Sequence, residues 1–212
     1  SRGITIFSKQ NPFSLGEKRF TLVDTPGHTD FSAEMERTLG VLDYAVLVID
    51  GTGGVRRHTE TIWRLLGEYK VPPFIFINKM DRDANDTFDL LDEIEKELGI
   101  ATCPINWPIG SGKKFRGVYD RNTEKVLTFS DTMKGTKEGI EEEIAIDEAR
   151  LDEVVDPDQK EQLLEEIELL DGASAEFDQE LVNQGKLSPV FFGSALTNFG
   201  VETFLKHFLK MT

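Results

Sequence analysis

The chain has 212 residues, with 24 Lys and Arg against 39 Asp and Glu for a formal charge of −15. A length of this order holds one core plus an insertion rather than several large domains. Its 39% apolar content contains no long apolar run, which excludes a membrane-spanning helix, and no charged-then-apolar leader points to export.

In chain order, Phe20 to Val23, Ala45 to Ile49, Phe74 to Ile77 and Pro189 to Phe192 are short runs of β-branched or aromatic residues, the pattern of strands buried on both faces of a parallel sheet. Between them, Phe31 to Leu39, Thr59 to Tyr69 and Thr87 to Leu98 carry helical spacing, as in Phe88, Leu91, Ile94 and Leu98. Alternation of this kind predicts an α/β fold with a doubly wound, mostly parallel sheet, whose functional groups gather at the carboxyl ends of the strands.

After Gly99 the rhythm changes. Cys103 to Ile109 is one more extended run, and Phe115 to Tyr119 with Val126 to Phe129, joined at Asp120-Arg121-Asn122-Thr123, predicts a hairpin. Helices are expected from Gln159 to Leu170 and from Ala175 to Gln184, before the sheet resumes at Ser188. Residues 107–186 therefore form an inserted α+β subdomain, flanked by 1–106 and 187–212. From Glu138 to Glu180 there are 18 acidic residues against only Arg150 and Lys160. Such a run is most simply a solvated helical face, and it argues against nucleic acid only where it lies.

Cys103, the sole cysteine, has no partner for an internal disulfide, and no Cys/His cluster has zinc-ligand spacing, which fits a reducing cytoplasm. Cys103 itself is expected to be a buried small apolar group, Trp107 a core anchor of the insertion, and His58 and His207 surface or packing residues. Three basic residues in the tip from Lys113 to Arg116 are weak evidence for RNA contact.

Three segments carry chemistry, each following a strand. In Asp24-Thr25-Pro26-Gly27-His28, a carboxylate can hold magnesium through water, Gly27 lets its N–H approach a terminal phosphate, and His28 can orient an attacking water. In Asn78-Lys79-Met80-Asp81, the Asp81 carboxylate can accept two N–H bonds from a guanine edge, whereas adenine presents an acceptor there. Asn78 can tie neighbouring loops, and the Lys79 stem can lie over the base plane. In Gly193-Ser194-Ala195, backbone N–H groups can meet the guanine carbonyl. Each segment alone has a plain structural explanation as a turn or cap, and their order along the chain is what makes them informative.

Together these segments resemble the translational GTPases over nearly the whole chain. The resemblance implies a P-loop GTPase fold, GTP or GDP with Mg2+ as cofactors, and GTP hydrolysis. It makes Arg2-Gly3-Ile4-Thr5 the first switch, with Thr5 and Asp24 as magnesium residues, His28 as the water-positioning residue, and Asn78 to Asp81 with Ser194, Ala195 and Leu196 as the base-reading residues. Stretches in and beside the insertion, Pro104 to Gly110 and Leu187 to Ala195 with Asn198 to Val201, are similar to the branch of the family that acts in translation termination, and less similar to elongation factor G. That likeness implies the ribosome and stop-codon-reading release factors as partners, with no DNA or membrane partner. His28 to Leu39 is closer to the ribosomal protection proteins of the same family.

One element of the family pattern has no counterpart in these letters: the glycine-rich phosphate loop ending in Gly-Lys-Ser/Thr, with its preceding strand. Gly110-Ser111-Gly112-Lys113-Lys114 and Gly51-Thr52-Gly53-Gly54 are decoys, the first running into a strand pattern and the second lacking a lysine. The expectation is an N-terminally incomplete chain, inactive by itself or serving as an interaction module, whose strands ending at Asp24 and Asp50 lack their shared central neighbour.

Overall fold

The computed structural model describes residues 13–15, 18–24, 37, 39–129, 141–194, 207, 210 and 211. Its main sheet has six strands: β1 (Phe13–Leu15), β2 (Lys18–Asp24), β3 (Tyr44–Asp50), β4 (Pro73–Asn78), β5 (Ala101–Pro104) and, late in the chain, β10 (Leu187–Phe192), in spatial order β1-β2-β3-β4-β10-β5. β1 runs antiparallel to β2, and every other pairing is parallel.

Successive residues of a strand point to opposite faces, so an unbroken apolar run must be covered on both. That is how β3 is used. Ala45, Leu47 and Ile49 enter one core with Ile75, Ile77, Val190 and Phe192, while Tyr44, Val46 and Val48 enter a second with Phe74, Phe76 and Phe191. The first face is covered by α1 (Arg57–Glu68) through Ile62 and Leu66, and by α2 (Thr87–Leu98) through Leu90, Leu91, Ile94 and Leu98. α2 starts where Asp86 accepts a hydrogen bond from the Asp89 N–H and ends on Gly99, whose φ of 66° a side chain would resist. Of the expected helix from Phe31 to Leu39, Arg37 and Leu39 are described, both helical, and Leu39 is buried.

Among the described residues, no strand lies between the strands ending at Asp24 and Asp50 in the sheet. β2 and β3 pair directly in parallel, from Phe20 opposite Tyr44 to Asp24 opposite Val48. Backbone N–H and C=O groups inside a sheet need partners, and these two strands supply them to each other.

A second sheet is antiparallel: β6 (Asn106–Ile109), β7 (Gly117–Asp120), β8 (Lys125–Phe129) and β9 (Glu141–Ala145), in that order. The run from Cys103 to Ile109 is thus two strands in two sheets. The switch is at Ile105, whose N–H still donates to the Val190 carbonyl at 2.9 Å. Asn106 then bonds back to the main sheet: its Nδ2 donates to the Phe192 carbonyl at 3.1 Å and its Oδ1 accepts from the Phe192 N–H at 2.7 Å. The β7 strand begins at Gly117 rather than Phe115, because Gly112–Lys114 forms a 3-10 turn.

β9 was not expected within the acidic stretch. It forms because Ile144 is fully buried opposite Val126 while its glutamate neighbours remain accessible. Three helices follow: α3 (Leu151–Val154), α4 (Pro157–Ala173) and α5 (Gln179–Asn183). α4 extends beyond the expected bounds because Pro157 suits its first turn, and Gln159 Oε1 accepts from the Asp156 N–H. α5 is shorter than expected, since the Asp178 carboxylate caps the N–H groups of Glu180 and Leu181.

The two sheets share a core. Trp107 is fully buried between the rings of Phe88 (4.8 Å between centroids) and Phe192 (5.5 Å), so it is an anchor as anticipated. No helix among the described residues is long and apolar enough to cross a membrane.

Candidate functional site at the carboxyl edge of the main sheet

The strand registers set the site. Asp24 lies opposite Val48, Asp50 opposite Asn78, and Phe192 opposite Ile77, so β2, β3, β4 and β10 all leave the sheet at one edge. Thr5, Thr25, Pro26, Gly27, His28, Ala195 and Leu196 lie outside the described residues, and of Asp24 the backbone alone is described. Asn78, Lys79, Met80, Asp81 and Ser194 are all described, and they are brought together.

Their proximity is built from backbone hydrogen bonds. The Gly193 N–H donates to the Ile77 carbonyl at 3.0 Å, and the Met80 N–H donates to the Gly193 carbonyl at 3.2 Å. The Gly51 N–H donates to the Asn78 carbonyl at 2.9 Å, and its own carbonyl accepts from Asn85. From below, the Gly112 N–H donates to the carbonyls of Met80 and Arg82. A Cβ at Gly112 would sit 2.5 Å from an Asp83 carboxylate oxygen, and its φ is 59°. The glycines set aside as a false phosphate loop therefore brace the loop 78–82.

Met80 is buried beneath this loop and Ser194 is fully buried beside it. Lys79 adopts φ 64°, a left-handed conformation that costs a non-glycine residue roughly 1–2 kcal/mol and is characteristic of functional turns. Its ammonium reaches Asp50 Oδ2 at 2.8 Å. The other oxygen of Asp50 accepts from the Thr52 N–H at 2.8 Å and the Thr52 hydroxyl at 2.6 Å. Burial opposes ionisation of Asp50, but the bonds from Lys79 and Thr52 outweigh it and hold the carboxyl below its ordinary value. The half-buried Asp81 carboxylate, by contrast, has no hydrogen-bond or ion-pair partner among the described residues. This edge thus presents a pinned cation beside an open double acceptor.

Sequence reasoning missed Asp50, which it treated only as a strand end. The available signal was an acid followed two residues later by threonine at a strand terminus, a pattern that favours a side-chain-closed turn. Of the other residues singled out in the sequence, Cys103 and His207 have structural roles. Cys103 is buried, and burial pushes its thiol up to about 11. His207 is buried with its Nε2 2.6 Å from Asp120 Oδ2 and its ring against Phe191. Lys113 and Lys114 are exposed. Among the described residues, no cluster of His, Cys, Asp or Glu is arranged to hold a metal ion.

Comparison with known proteins adds the following. A family model described as "Elongation factor Tu GTP binding domain" matches residues 1–212. A peptide chain release factor 3 from Trichormus variabilis is 45% identical over 209 residues, covering 99% of this chain and 39% of that protein. One from Symbiobacterium thermophilum is 43% identical, with 99% and 40% covered, and one from Microcystis aeruginosa is 44% identical, with 98% and 38% covered. The chain spans about two fifths of the length of these relatives.

Proposed function

The chain belongs to the family of the elongation factor Tu GTP binding domain, and from that premise we propose that the edge at β4 and β10 holds the base of a guanine nucleotide. The supporting observation is the Asp81 carboxylate, which has no hydrogen-bond or ion-pair partner among the described residues and stands on a loop tied to the Gly193–Ser194 turn. A carboxylate in that setting accepts two donors from guanine and repels the acceptor that adenine offers. Asn78, Lys79, Met80 and Asp81, with Ser194, Ala195 and Leu196, form the base site in this proposal. Asp24, Thr25, Pro26, Gly27 and His28 line the phosphates, with His28 directing a water at the γ-phosphate. Thr5 and Asp24 serve magnesium, which when bound neutralises phosphate charge.

The full-length protein, in this proposal, is a GTP-hydrolysing translation factor similar to peptide chain release factor 3. It would act in the cytoplasm on the ribosome to recycle stop-codon-reading release factors, with residues 107–186 as an inserted subdomain. The relatives' names and their even coverage of the chain support that assignment. Hydrolysis is assigned to the full-length protein, since the 212 residues contain no Gly-Lys-Ser/Thr loop.

The test is Asp81→Asn in the full-length protein. Two charge-assisted hydrogen bonds are at stake, so guanosine diphosphate affinity should fall by about a hundredfold or more. Xanthosine diphosphate should bind instead, because the amide donates to its additional oxygen. Titration with fluorescent analogues of both nucleotides reads the switch, and an unchanged guanosine preference refutes the base site.

A further inference from the structure

We propose that Asp50 is a positioning residue for the base site: by holding the Lys79 ammonium, it fixes the lysine stem as a wall of the pocket beside Asp81. This rests on the guanine reading given above. A lysine stem has four carbons and many rotamers, so it makes a defined surface only if its end is fastened. Here both ends are. The backbone of Lys79 is turned to φ 64°, and Nζ lies 2.8 Å from Asp50 Oδ2.

The fastening point is itself rigid. Asp50 is the last residue of β3 and pairs in register with Asn78, the residue before Lys79. Its second oxygen is closed off by the N–H and hydroxyl of Thr52. The Gly51 N–H, next in sequence, holds the Asn78 carbonyl. The relay Thr52–Asp50–Lys79 thus spans two adjacent strands at the edge where Asp81 stands open. The lysine side chain keeps 40% of its surface exposed, so it remains available to a flat ligand despite the ion pair. The pair is only partly buried, and that makes binding rather than stability the property to measure.

The experiment measures dissociation of fluorescent GDP and GTP from the full-length protein. Asp50→Asn keeps the side-chain shape and an oxygen for Thr52 but weakens the hold on Lys79. It should speed release of both nucleotides about tenfold, leaving the ratio of the two rates unchanged because the base is common to both. Thr52→Val should act in the same direction by a smaller factor. In a Lys79→Met background, Asp50→Asn should add less than twofold, an outcome that a merely structural Asp50 would not give. A change below twofold in Asp50→Asn overturns the proposal, as does an undiminished effect in the Lys79→Met background. If Asp50→Asn does not fold, an unchanged release rate in Thr52→Val overturns it equally. Asp81→Asn measured in parallel separates the two ideas. A xanthosine switch with a silent Asp50→Asn removes only the relay, whereas no switch removes the base site and the relay with it.

Discussion

The carboxyl edge of the parallel sheet and the junction between the two sheets are held by different chemistry. At the edge, loops from β3, β4 and β10 meet through backbone groups: Gly51 with Asn78, Met80 with Gly193, and Gly193 with Ile77. At the junction the joints are side chains: Trp107 between Phe88 and Phe192, the Asn106 amide on Phe192, Arg121 Nη1 on the Pro104 carbonyl at 2.7 Å, and Asp120 against His207. Backbone joints survive most substitutions, whereas side-chain joints depend on particular residues. Truncations at the junction should therefore cost stability, while those at the edge should cost binding.

Trp107→Ala should have the largest effect, about 3–5 kcal/mol of unfolding free energy. Because the ring belongs to the core of both sheets, urea unfolding followed by circular dichroism should remain a single transition. Two resolved transitions would mean that the sheets do not share their stability.

Asp120→Asn comes next, at about 1.5–3 kcal/mol near neutral pH, since a charged acceptor of three hydrogen bonds is lost. Burial opposes ionisation of Asp120, but His207 and the N–H groups of Asn122 and Thr123 outweigh it and hold the carboxyl below its ordinary value. A depressed folded value means that the contribution is complete above the unfolded carboxylate value of about 3.9 and fades as pH falls through the folded one. Wild-type stability should therefore drop below about pH 4 more steeply than that of Asp120→Asn, as read by urea titrations at several pH values.

Asp86→Ala, which removes an exposed cap on α2, should cost only about 1 kcal/mol. A loss as large as that of Asp120→Asn would erase the contrast between the junction and ordinary surface features.

The sequence was most legible where one run does one job. β3, β4 and β10 announce themselves because strands covered on both faces must be apolar throughout, and Asn78, Lys79, Met80, Asp81 and Ser194 could be placed from where those strands end. It was least legible where partners decide. The run Cys103 to Ile109 reads as one extended segment, so nothing in its letters marks the bend at Ile105 as the point of exchange between sheets. β9 is hidden because Glu141, Glu142 and Glu143 read as a solvated face, and only pairing with β8 reveals the inward Ile144. Asp50 acquires meaning from Lys79, 29 residues away. The direct pairing of β2 with β3 likewise depends on which strands are at hand, a property that neither strand's own letters contain.

Asn106 shows how much can depend on one carboxamide. After β5 departs at Pro104, the last residue of β10 would face the junction with its N–H and C=O unmet, and this single side chain answers both. Aspartate in its place would serve the N–H and repel the carbonyl, and leucine would strand the pair. The antiparallel sheet is thereby fastened to the residue immediately ahead of Gly193, the point where the chain turns toward Ser194.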